Sequence, residues 1–150
     1  MFGGKFGSFQ SQDRHFFNED NPVYRELAKI LEIRQHKITL RRGRQYLRPI
    51  SGNGEDFGLP QMVGNEIRSV VPWSRLLDKD EMVLAINTDY ERSLTVWVNI
   101  DYNSHKLEDS FKCIYSTDNT QINSKIYVES RKVKCISLTV PAAGLVIYGQ

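Results

Sequence analysis

No stretch of the sequence approaches the roughly 20 consecutive apolar residues that a membrane helix needs, and the opening MFGGKFGSFQSQ has no apolar signal core. The expectation is a soluble chain with no membrane partner. Excess charge is also lacking. Twenty Lys and Arg against eighteen Asp and Glu leave +2, far from the balance of a dedicated nucleic-acid binder. Cysteine is scarce: Cys113 and Cys135 stand in strand-like segments without the C-x-x-C spacing of a redox or zinc site. Buried free thiols are expected there, with a disulfide as the alternative, and the redox compartment stays open. The three histidines, His15, His36 and His105, have no second His or Cys at the i+3 or i+4 spacing of a metal site. P-loop, G-x-S-x-G and G-x-G-x-x-G patterns are missing too. Neither a metal nor a cofactor is therefore expected. At 150 residues the chain is also too short for a complete (β/α)8 barrel, which takes about 250.

What is present divides into three stretches. Residues 1–20 read as a loop dense in aromatics, with Phe2, Phe6, Phe9, Phe16 and Phe17 spaced without period. Asn21-Pro22 then opens a helix, Asn21 as cap and Pro22 at the first helical position. Val23, Leu27, Ile30, Leu31, Arg34 and Ile38 form its stripe, predicting a helix from Pro22 to about Thr39 with Gly43 as the stop. From Gln45 onward the period changes to two. Short strands are predicted near 45–50, 67–76, 82–88, 94–101, 111–116, 125–130, 133–140 and 144–149, separated by turn clusters such as Ser51-Gly52-Asn53-Gly54 and Asp78-Lys79-Asp80-Glu81. The fold expected is mainly β: an antiparallel β-sandwich preceded by an N-terminal loop and one α-helix.

Chemistry-bearing patterns are few. The carboxylate pairs Glu19-Asp20, Asp80-Glu81 and Glu108-Asp109 fall in loop or capping contexts and read as solvated charge. Arg41, Arg42, Gly43, Arg44, Tyr46 and Arg48 form the densest basic patch, of the kind that meets a phosphate backbone. Helix C-terminal cations followed by a solvated strand face account for the same residues. Trp73 and Trp97 suit either sugar stacking or cross-strand packing.

Residues 14–48, RHFFNEDNPVYRELAKILEIRQHKITLRRGRQYLR, resemble the stretch that follows the eighth barrel strand in the α-amylase family of glycoside hydrolases, family 13. The N-P-x-Y-R helix start corresponds to Asn21 to Arg25, and the L-R-x-G exit to Leu40 to Gly43. VVPWSR (70–75), LAINTDY (84–90), CIYSTD (113–118) and LTVPAAGLVIY (138–148) are similar to the successive strands of that family's C-terminal domain. The resemblance implies a truncated barrel's last loop and helix over 1–43, joined to a C-terminal antiparallel β-sandwich over 44–150. It also implies that the nucleophile, general acid and third carboxylate lie on earlier barrel strands, so no residue here inherits a catalytic role. The parent would be a retaining hydrolase or transglycosylase acting on α-glucans. In it, Arg14, His15, Phe16 and Phe17 would border the substrate cleft. For the chain itself the expected role is structural support of its own barrel, with a carbohydrate-binding module using exposed Trp or Tyr as the alternative. Without the barrel, the apolar helix stripe is expected to draw the chain into a homo-dimer.

Overall fold

The computed structural model describes residues 20–60, 62–64 and 66–150, in two units that divide between His36 and Lys37. The first unit contributes α1 (Pro22–His36), which starts where Asn21-Pro22 places it: the Val23 N–H donates to Asn21 Oδ1 at 2.9 Å. Val23, Leu27 and Leu31 are exposed along it, and no residue of α1 is buried.

The helix does not run unbroken to Gly43. Lys37 takes an extended backbone (φ −98, ψ 102), and a separate short helix, α2 (Ile38–Arg42), follows. Tertiary contact overrides the periodic stripe here. Leu40 is buried, α2 packs on β5 (Val70–Leu77) and β6 (Asp80–Asn87), and the buried Thr39 hydroxyl donates to the Asp80 carboxylate. Gly43 does stop the helix, but by close approach rather than by a left-handed turn. Its φ is −61, and a Cβ there would stand 2.5 Å from the Thr39 carbonyl oxygen and 3.0 Å from the Leu76 nitrogen.

The remaining strands are β1 (Arg44–Leu47), β2 (Ile50–Ser51), β3 (Met62–Val63), β4 (Glu66–Ile67), β7 (Leu94–Asn99), β8 (Ser110–Ser116), β9 (Lys125–Ser130), β10 (Lys134–Val140) and β11 (Leu145–Gly149). Apart from the β3–β4 hairpin they form one continuous antiparallel ladder, β1-β5-β6-β11-β8-β9-β10-β7-β2, which curls so that two layers enclose the core. The first layer is β1, β5, β6, β11 and β8; the second is β9, β10, β7 and β2. The expected strand at 45–50 is in fact two. Pro49 has no N–H to give a ladder, and around it the chain leaves β5 in the first layer for β7 in the second.

Val83, Ala85, Val146, Tyr148, Cys113 and Phe111 of the first layer meet Val96, Val98, Ile136, Leu138 and Val140 of the second. Both cysteines are buried and free, as the thiol reading expected, and burial pushes each thiol above its ordinary pKa. Burial likewise pushes the Tyr148 phenol up to about 12.

The outer faces of the two layers differ. The second presents Thr95, Trp97, Asn99, Ser137, Thr139, Tyr127 and Glu129, the alternation of a sheet facing water. Cross-strand registers place Leu47, Val71, Trp73, Leu84, Ile86, Leu145, Ile147 and Tyr115 together on the outer face of the first. That layer is largely apolar on both sides, with Gln45 and Arg75 paired at the margin of its outer face. Leu47 and Ile86 are exposed, and Val71, Trp73, Leu84 and Leu145 are half-buried.

Candidate functional site

Among the described residues the densest set of ionisable side chains surrounds Glu81. The expectation of a solvated turn carboxylate fails here: Glu81 lies on β6 in phase with Val83 and Ala85, and its side chain is fully buried. Arg48 Nη2 and the Ser74 hydroxyl each donate to Oε1 at 2.5 Å. The Asp101 N–H donates to Oε2 at 2.9 Å and His105 Nε2 at 2.8 Å. Burial alone would raise the Glu81 carboxyl; the His105 and Ser74 hydrogen bonds, the Arg48 charge and the Asp101 amide outweigh it and hold the carboxyl below its ordinary value.

Arg48 therefore departs from the solvated face expected for Arg44, Tyr46 and Arg48. Arg44 and Tyr46 are exposed, whereas Arg48 turns inward. The basic patch thereby loses one of its cations to the interior. A second buried carboxylate, Asp89, accepts from the Glu91 and Arg92 N–H groups and from the Arg92 guanidinium, contacts that hold it below its ordinary value. Every one of these groups is engaged in folding the β domain. None is a carboxyl group raised and directed into a cleft, which is what a general acid requires.

The Glu81 cluster also fixes a loop. Asp101 and His105 hang from the carboxylate, the Lys134 ammonium donates to the Tyr102 and His105 carbonyls at 2.8 and 2.6 Å, and the Glu108 N–H donates to Val128 O. The far end of that loop, Leu107 and Glu108, forms one wall of an open depression of about 880 Å³. Glu55, Val128, Glu129, Ser130, Arg131 and Lys132 complete it.

Of the two tryptophans, Trp97 is half-buried beside this depression. Its indole N–H donates to Glu129 Oε2 at 3.4 Å, and the Arg131 guanidinium lies over its ring, 5.0 Å from the centroid. Trp73 is on the opposite layer, within the apolar outer face, opposite Leu47 and Leu84. Arg14, His15, Phe16 and Phe17 lie outside the described residues. His36 Nδ1 donates to the Glu32 carbonyl one helical turn back. Among the described residues no group of three or more His, Cys, Asp and Glu is placed to hold a metal ion, and no helix is long and apolar enough to cross a membrane.

No family model matches the sequence, and a search of curated proteins found no match. Solved structures do share its fold. A debranching enzyme from Nostoc punctiforme superposes over 91% of this chain and 24% of its own, with 21% identity and a TM-score of 0.59. The gamma-CGTase of the alkalophilic Bacillus clarkii covers 98% of this chain and 19% of its own, with 12% identity and a TM-score of 0.60. A cyclomaltodextrin glucanotransferase with a three-domain ABC distribution covers 95% and 25%, with 15% identity and a TM-score of 0.57. All three are enzymes of the α-amylase family, the family that residues 14–48 resemble. The chain spans about a fifth to a quarter of the length of these proteins.

Proposed function

We propose that this chain is a non-catalytic C-terminal part of an α-amylase-family enzyme acting on α-glucans, and that its β domain supports the catalytic barrel. In this reading 1–43 supply the barrel's last loop and helix, and 44–150 the supporting domain. Arg14, His15, Phe16 and Phe17 then border the substrate cleft of the parent.

The observation that carries the proposal is the first layer's apolar outer face. A sheet with one wet side alternates apolar and polar residues, as the second layer does; a sheet apolar on both sides is built to be covered on both. Trp73, Leu84, Ile86 and Leu145 are the centre of that face. At about 25 cal/mol per Å² of apolar surface removed from water, covering it would contribute several kcal/mol to holding two domains together. Exposed Val23, Leu27 and Leu31 on α1 are a second surface of the same kind, the stripe a barrel helix turns toward its strands. Without a barrel this stripe makes the chain self-associate.

The full engagement of Glu81 and Asp89 supports the non-catalytic half of the proposal. Reducing-sugar release from soluble starch tests it. The purified chain should give no more than a heat-denatured control. Turnover that disappears when one carboxylate of this chain is replaced would defeat the proposal.

A further inference from the structure

We infer that Arg75 is the polar anchor of the first layer's outer face, and that the surface covering this face presents an Asp or Glu carboxylate to its guanidinium. The inference rests on the proposed function for the occupant, the parent's catalytic barrel, and adds the chemistry of the contact. Arg75 lies on β5 in phase with Trp73, opposite Gln45 on one side and Met82 on the other. A half-buried cation thus borders the apolar centre of the face. Its donors are mostly unmet. Nη1 donates to Gln45 Oε1 at 3.2 Å, a neutral acceptor at the long end of the hydrogen-bond range. Nε is closed off from solvent and has no acceptor, the one buried side-chain nitrogen or oxygen so placed among the described residues. Among those residues no carboxylate forms an ion pair with Arg75. On the same face Asp80, opposite Leu77, accepts from the Thr39 hydroxyl instead.

Buried donors without acceptors are rare in folded proteins, because each forfeits its hydration for nothing in return. What completes Arg75 comes from outside the β domain. A covering surface also removes the water around the exposed part of the side chain, and a charge taken out of water needs an opposite charge beside it. A carboxylate fits better than a lone carbonyl, since its two oxygens match the Nε and Nη2 fork side-on. Turning the guanidinium outward breaks only its bond to Gln45 and brings Nε to the surface. In the resulting interface Trp73, Leu84 and Ile86 supply apolar area, and Arg75 fixes orientation.

Melting temperatures of two proteins, this chain and the full-length parent, test the inference. In this chain Arg75→Met replaces an unmet donor by an apolar side chain, so the melting temperature should hold or rise. In the parent the same substitution leaves a covered carboxylate unpaired, and the melting temperature should fall by about 3 °C or more. Arg75→Lys in the parent, treated with a carbodiimide that joins an ammonium to a touching carboxylate, should yield a crosslink from position 75 to an upstream Asp or Glu. Equal shifts in the two proteins, or no crosslink from position 75 to an upstream carboxylate, overturns the inference. Failure of the proposed function shows separately: Ile86→Lys, at an exposed position of the same face, would then lower the parent's melting temperature no more than this chain's.

Discussion

His105 Nε2 donates a 2.8 Å hydrogen bond to Glu81 Oε2 at a point where neither side chain touches solvent. The pair joins strand β6 to the 101–109 loop, and Arg48 completes it from the segment between the two layers. Removing one member of such a cluster leaves buried charge without a partner. Glu81→Gln should cost about 3–5 kcal/mol in urea unfolding at neutral pH.

The same carboxyl sets an acid limit to stability. Its folded pKa lies below the ordinary 4.5, so as pH falls the unfolded chain takes up the proton first. The contribution of Glu81 is complete above about pH 4.5 and declines as pH drops through the folded value. Urea midpoints of the unmodified chain should therefore fall below pH 4.5, while those of Glu81→Gln should be flatter across the same range. Parallel curves would contradict this assignment.

Gly43→Ala tests the contact between α2 and β5. The added methyl would meet the Thr39 carbonyl and Leu76 backbone, neither of which is a flexible side-chain end. A loss of about 1–3 kcal/mol is expected from this overpacking. Gly52→Ala, with open space around it, should change far less.

Sedimentation velocity tests the exposed stripe of α1. The unmodified chain should self-associate at micromolar concentration, and Leu27→Glu with Leu31→Glu should shift it toward monomer. A clean monomer before substitution would show that the stripe draws no partner.

Local signals carried much of the fold. Asn21-Pro22 marked the start of α1, and period-two runs marked the long strands, because capping and alternation act between near neighbours. The break at Lys37 was hidden, since what shortens the helix is Thr39 meeting Asp80, 41 positions away. Glu81 shows the same limit. Its phase with Val83 and Ala85 was a readable sign of burial, but Arg48 and His105, 33 and 24 positions distant, leave no mark on a local pattern. The apolar run VLAI at 83–86 was a sign that β6 is apolar on both faces, and the resemblance to α-amylase-family enzymes supplied the proposed cover for the outer one. Arg131 over Trp97 depends on a rotamer, and no spacing rule anticipates it.

Reconstitution tests the central claim most directly: the upstream reading frame expressed without these 150 residues, with and without this chain added. Support of a barrel predicts a separate upstream part that is unstable and weakly active on starch, with activity and melting temperature rising when this chain is added. A chain carrying Trp73→Lys and Leu84→Lys should fail to restore either. An upstream part that is stable and fully active alone, unaffected by the addition, would contradict the account.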